Sequence, residues 1–173
     1  AVIMSSNLIR PTFLFKISIS FEIHVYYFAY GSNMDVQQMN DREANFTKTQ
    51  KGILKDWKLV FNKINRRLKG AGFANIVPES NFFVEGIIFE VNEITIDVLD
   101  RYEGSPNAYH KKIIPVETND NKSINCIVYI ANHSKTNNSL KPEKKYLDHL
   151  LKGKEFLSEN YFSALYPILK KNK

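Results

Sequence analysis

One cysteine, seven glycines, six prolines and four histidines in 173 residues put several kinds of protein out of reach. Cys126 alone can form neither an intrachain disulfide nor a cysteine-based zinc site. It sits in the apolar run Ile124-Asn125-Cys126-Ile127-Val128-Tyr129-Ile130 and reads as a buried, inert thiol, in keeping with a reducing, cytoplasmic setting. His24, His110, His133 and His149 have no ligand-spaced partner, so they read as structural or surface residues and no metal or other cofactor is expected. Long hydrophobic runs are missing too. Leu8 to Val25 is rich in Ile, Phe and Leu, but Arg10, Pro11, Lys16, Glu22 and His24 interrupt it. That segment is too broken for a membrane span, and no small-residue cleavage site follows an apolar stretch. No internal repeat and no linker composition is visible.

What remains suits one globular domain. The length is enough for one core and short for two. Hydrophobic residues make up 43%, and Tyr and Phe are abundant. The net charge of +6 raises the question of nucleic acid. The basic residues are scattered, however, through Lys48, Lys51, Lys55 and Lys58, then Lys63, Arg66, Arg67 and Lys69, then Lys141, Lys144 and Lys145. No nucleic-acid module accompanies them, so solvated faces account for them better. The four Asn-x-Ser/Thr triplets, at Asn45, Asn121, Asn132 and Asn137, are expected by chance in an Asn-rich chain.

Local patterns give an order of elements. Val25 to Phe28 reads as a strand that breaks at Gly31-Ser32-Asn33, and Asp35 to Glu43 follows as a short helix. A strand feeding a helix through that turn would present free backbone N–H groups, an expected anion site; the plainer alternative is a turn capped by Ser32 or Asn33. Phe46 to Leu54 and Lys58 to Ile64 read as two strands, with a bend at Asp56-Trp57 and Trp57 as a packing residue. Arg66 to Gly72 is a basic loop, either a flap beside a ligand or a solvated connection. Phe73 to Pro78 and Val84 to Val91 read as strands around a Glu79-Ser80-Asn81 turn. Gly86 inside the second suggests a bulge or a close backbone contact. Asn92 can cap a helix that carries Ile94, Val98, Leu99 and Tyr102 and stops at Gly104. His110 to Glu117 and Ser123 to Ala131 form a hairpin. Pro142 suits the first turn of a helix bearing Tyr146, Leu147, Leu150 and Leu151, and Ser158 can cap a last helix that Pro167 closes or kinks.

Several of these stretches resemble one family. Tyr27-Phe28-Ala29-Tyr30-Gly31-Ser32-Asn33 is similar to the Y-F-A-Y-G-S-N motif of the γ-glutamylcyclotransferase family, in the AIG2-like superfamily. Asn33 after Ser32 separates it from the branches that read Y-G-S-L and Y-G-T-L. Leu99-Asp100-Arg101-Tyr102-Glu103-Gly104 matches every fixed position of L-D-x-x-E-G, with Tyr109 following. Phe73 to Pro78, Val84 to Val91, and Pro142 with Tyr146 and Gly153 match supporting patterns. The resemblance spans about residues 26–169. It implies an α+β fold, a small closed mixed β-barrel flanked by helices. Residues 1–24 would form an N-terminal extension and residues 25–173 the domain.

The resemblance also implies a chemistry. Members cyclise a γ-glutamyl compound: its α-amino group attacks the γ-carbonyl, giving 5-oxoproline and a free amino acid or amine without a cofactor. Glu103 matches the catalytic glutamate. Tyr27, Phe28, Ala29, Tyr30, Gly31 and Ser32 match the substrate-binding stretch, and Tyr146 matches a tyrosine that contacts substrate. The expected partners are a small γ-glutamyl molecule and, where the chain self-associates, a second copy in a homodimer, with neither nucleic acid nor membrane. On its own residues, Glu103 has two readings. At a helix C-terminus, beside Asp100 and against Tyr102, its pKa would be raised, as proton transfer needs. It could equally be a solvated charge at a fraying helix end. The other functions left open are a non-catalytic domain of this fold, binding a small metabolite or a protein, and a basic RNA-associated protein.

Overall fold

The computed structural model describes residues 25–170. The readings of residues 1–24, His24 among them, and of the last three residues lie outside it. Five strands close into a barrel: β1 (Val25–Ala29), β2 (Phe46–Ile64), β3 (Gly72–Val91), β4 (Tyr109–Thr118) and β5 (Ser123–Ala131), in the order β1-β3-β2-β4-β5. Every neighbouring pair is antiparallel except β1 and β5, which meet in parallel at Tyr27 and Ile127. Helices α1 (Val36–Asp41), α2 (Glu93–Glu103), α3 (Lys144–Lys152) and α4 (Glu159–Lys170) flank it. The expected α+β barrel is the fold observed. No described helix is long and apolar enough to cross a membrane.

Strand alternation explains the two cores. Phe28, Leu54, Ile76, Val84, Ile88, Val116, Cys126 and Val128 come from all five strands and fill the barrel interior. Tyr27, Ile87 and Phe89 face the other way and pack on Ile96 and Leu99 of α2 and Leu150 of α3. Burial pushes the Cys126 thiol up to about 12, so it is inert as expected.

Three local readings need correction. The two strands expected on either side of Asp56-Trp57 are one strand, β2, because the break is a bulge: pairing shifts between Lys55 and Trp57 while Asp56 takes a φ of 62°. β3 likewise runs through its expected turn, with Asn81 at a φ of 67° and its N–H on the Asp56 carboxylate at 3.2 Å. The short helix expected from Asp35 to Glu43 is α1, which Asp35 caps through the Gln37 N–H, and a 3₁₀ turn, Ser32–Met34, precedes it. α3 begins at Lys144, two residues past Pro142, with Glu143 as its N-cap. Elsewhere Asn92 accepts the Thr95 N–H at 2.9 Å, and Gly104 ends α2 in the left-handed region, both as expected. Ser158 accepts the Tyr161 N–H and caps α4, which continues through Pro167.

Among the described residues, β1 closes the barrel by pairing with β3 and β5, and the family resemblance begins only at about residue 26. A chain beginning at Ile23 is therefore expected to fold and melt cooperatively near the temperature of the full chain. A truncated chain that stays unfolded by circular dichroism would place residues 1–22 in the core.

Candidate active site

A cavity of about 960 Å³ opens beside the end of β1. The interior face of the barrel, the outer face under α2, and α3 all meet there. Tyr27, Tyr30, Gly31, Ser32, Glu103 and Tyr146 line it. The two motifs are some seventy residues apart in sequence, and the fold brings them to one wall. Phe28 and Ala29, expected at the substrate, are not part of that wall. Their side chains are buried in the inner and outer cores, because alternate residues of β1 point to opposite faces.

Glu103 reaches the cavity by helical geometry. Ile96, Leu99 and Glu103 lie at i, i+3 and i+7 on the face of α2 that packs against the barrel. About a fifth of the Glu103 side chain is accessible, so the solvated reading fails. Its Oε1 accepts the Asn33 amide at 3.1 Å and lies 3.9 Å from the Arg42 guanidinium. Among the described residues, no hydrogen-bond partner holds Oε2, which is left for the cavity.

Burial raises the Glu103 carboxyl above its ordinary range, while Arg42, the Asn33 amide and Lys63 pull it back. The expected direction is right but two expected causes are not. Asp100 is turned away: it takes Lys111 Nζ at 2.6 Å and the Tyr129 hydroxyl at 2.8 Å. Tyr102 is 55% exposed and lies under the Arg42 guanidinium, 4.6 Å from ring centroid to Cζ.

Asn33 organises this wall, yet residue pattern alone marked it only as a capping candidate. It is buried, and its amide donates to the Tyr27 hydroxyl at 2.8 Å as well as to Glu103. Its carbonyl oxygen accepts from Gln38 at 3.1 Å and from Arg42 at 2.5 Å. Every polar atom of the side chain is used, so Asn33 fixes both Glu103 and Tyr27 in place. Arg42 and Gln38 come from the α1 segment, where the sequence offered no signal beyond their types.

The tyrosines divide by what their protons do. Tyr30 donates to the Tyr129 carbonyl and Tyr109 to the Ala74 carbonyl at 2.8 Å, so those protons are spent. Tyr146 instead accepts the Ala74 N–H at 3.0 Å and bonds the Ser32 backbone. Tyr27 accepts from Asn33. Tyr27 and Tyr146 therefore keep an O–H to donate into the cavity. Burial pushes both phenols up, which keeps them protonated donors.

The anion site expected at the Gly31-Ser32-Asn33 turn adjoins this cavity, but a helix dipole adds little to it. The helix that follows the turn is only six residues long, and the Asp35 carboxylate already caps it. That carboxylate is also bonded to His149 at 2.8 Å and Lys152 at 2.7 Å, which makes His149 a structural residue of α3 as read. Gly31 and Ser32 do line the cavity, but as a turn of the wall rather than as a dipole-charged helix end. Among the described residues no group of His, Cys, Asp and Glu could hold a metal ion.

A closed five-stranded barrel whose two sequence motifs share one cavity defines a cyclotransferase-like domain. The profile described as "Gamma-glutamyl cyclotransferase, AIG2-like" matches residues 27–148, and the chain belongs to that family. It is 32% identical over 109 residues to a γ-glutamylcyclotransferase of Mus musculus and 29% identical over 109 residues to that of Homo sapiens. Each match covers 60% of this chain and 57% of the relative, so the chain spans little more than half the length of those proteins. A solved structure described as "Gamma-glutamyl cyclotransferase" superposes with a TM-score of 0.75 over 83% of this chain and 87% of that one, at 24% identity. That last likeness is one of fold.

Proposed function

We propose that the cavity cyclises γ-glutamyl compounds to 5-oxoproline and releases the attached amino acid or amine. The observation that carries the reading is the Glu103 Oε2: an oxygen of a carboxyl group that burial favours in its protonated form, open to a cavity it shares with the Gly31-Ser32 turn and Tyr146. In this reading Glu103 removes a proton from the substrate ammonium. The freed amine attacks the γ-carbonyl carbon and forms the lactam C–N bond. The carbonyl oxygen becomes an oxyanion, which the Tyr146 hydroxyl and the turn's N–H groups can stabilise. Glu103 returns its proton to the departing nitrogen as the original C–N bond breaks, and the ring nitrogen's second proton passes to the freed amine, which leaves as its ammonium, so acid and base are one residue. The nucleophile is already in the substrate, and the wall's task is to hold the substrate folded for ring closure. The relatives' name, γ-glutamylcyclotransferase, supports the reaction class.

Incubation with γ-glutamyl-alanine tests the reading. Free alanine and 5-oxoproline should appear together. Tight binding without turnover would favour the non-catalytic alternative instead.

Arg42 offers a second test. It opposes the upward push of burial on Glu103. Arg42→Leu should therefore raise the Glu103 pKa. The base form is the ionised one, so the acidic limb of the kcat/KM profile should move to higher pH, with activity falling most below neutrality. An acidic limb that stays in place would mean that the limb does not report Glu103.

A further inference from the structure

Tyr102 stands next to Glu103 in the chain, at an open position of the L-D-x-x-E-G pattern. Successive residues of a helix point about 100° apart, so Glu103 turns into the cavity while Tyr102 stays half exposed. The ring is not idle: the Arg42 guanidinium lies over it, with Cζ 4.6 Å from the centroid. Among the described residues the other contacts that hold Arg42 are Asn33 Oδ1 at 2.5 Å and Glu103 Oε1 at 3.9 Å, both from one nitrogen. A guanidinium has five N–H donors, and one close hydrogen bond leaves it free to turn about that bond. An aromatic face against the plane of the group restricts that turn. Arg42 also has an alternative place to go. Arg42 and Tyr102 line both the main cavity and a second one of about 370 Å³, to which Asp41 and Glu43 belong. The two carboxylates there compete with Glu103 for the same cation.

We propose that Tyr102 is a positioning residue, whose ring holds the Arg42 guanidinium against Glu103 and away from Asp41 and Glu43. It acts through Arg42 and touches no reacting atom, and its effect on turnover rests on the cyclotransferase reading above. Other groups surround Glu103 as well. Tyr27 and Tyr30 of β1, Tyr109 of β4, Tyr129 of β5 and Tyr146 of α3 are phenols that burial keeps neutral. Lys63 of β2 is a second cation that favours the Glu103 carboxylate. On α2 itself, Asp100 is taken by Lys111 and Tyr129, and Arg101 lines both cavities. Arg42 is the cation that lies over the Tyr102 ring. Without the ring, Arg42 spends less time beside Glu103, and the carboxylate loses part of the charge that opposes burial.

Two readouts test this. One is the pH profile of kcat/KM for γ-glutamyl-alanine. The other needs no turnover: ¹³C NMR titration of the Glu103 carboxyl in glutamate-labelled protein, with its signal assigned by its loss in Glu103→Gln. Tyr102→Ala should move the acidic limb and the NMR midpoint to higher pH, in the direction of Arg42→Leu and no further. On that limb kcat/KM should fall by about two- to fivefold, the weight of one exposed ring–cation contact. Tyr102→Phe keeps the ring face and should leave limb and midpoint where wild type has them. In an Arg42→Leu background, Tyr102→Ala should add no shift, because the ring acts only through the guanidinium. Tyr102→Leu replaces the Ala variant if melting shows that Ala disturbs the fold. An unmoved midpoint in Tyr102→Ala overturns the proposal. So does a lower one, which would mean that the ring serves to keep water from Glu103. A Phe variant that shifts like Ala, or an equal shift with and without Arg42, overturns it as well. If wild type yields no 5-oxoproline, the cyclotransferase reading fails by itself, and the NMR midpoints alone then decide on Tyr102.

Discussion

Glu103→Gln is expected to lower 5-oxoproline formation by about 10²–10⁴-fold while the barrel stays folded. Gln preserves the shape and can still accept the Asn33 amide, but it cannot take a proton from an ammonium. The stability effect has a definite sign. Burial raises the Glu103 pKa in the folded chain, so above the ordinary carboxylate range the unfolded chain holds fewer protons than the folded one. Ionisation of this group then costs stability as pH rises from the unfolded towards the folded pKa. Gln removes that cost, so the variant should melt at the wild-type temperature or higher at neutral pH, with the gain vanishing in acid. Arg42 limits the gain, since its charge favours the carboxylate and is left less compensated in the variant. Melting curves at two pH values and a turnover assay check both halves. Were Glu103 an ordinary surface charge, stability would change by under roughly 0.5 kcal/mol and turnover would not change at all.

Gly86→Val should cost about 3 kcal/mol or more and take the activity with it. Gly86 lies in β3, where β1 crosses closest. A Cβ there would stand 2.2 Å from the Ala29 carbonyl oxygen and 2.9 Å from Phe28 Cζ. The nearer obstacle is backbone held in the sheet, where Ala29 pairs with Ile87, so no rotamer change relieves it. Relief means moving β1, and β1 carries Tyr27 and leads into the Gly31-Ser32 turn. Denaturant titration of the variant checks this. A midpoint within about 0.5 kcal/mol of wild type would show that β1 shifts at little cost.

The sequence revealed more of the barrel than of its cavity, for identifiable reasons. Strand alternation, the Asn92 cap and the Gly104 stop are local signals, and those elements lie close to where they were expected. Gly86 announced a close backbone approach because a glycine inside an apolar strand has few other uses. The strand breaks at Asp56 and Asn81 misled because both residues tolerate positive φ, and a bulge uses the same residue types as a turn. Glu103 and the Tyr27-to-Ser32 stretch were legible through motif resemblance. Local reasoning alone could not tell a buried carboxylate at a helix end from a solvated one. Asn33 stood inside the motif, yet its role depends on a partner 70 residues away. Lys63 and Arg42 were two basic residues among many. Burial and position distinguish them, and neither is a local property of sequence.

The central claim is ring closure within one substrate rather than attack by water. Reaction of γ-glutamyl-alanine in ¹⁸O-enriched water, followed by mass spectrometry of the products, separates the two most directly. Intramolecular aminolysis predicts unlabelled 5-oxoproline in equal amount to alanine, with no glutamate. Hydrolysis would give glutamate carrying ¹⁸O in its γ-carboxylate, and that result would contradict the account.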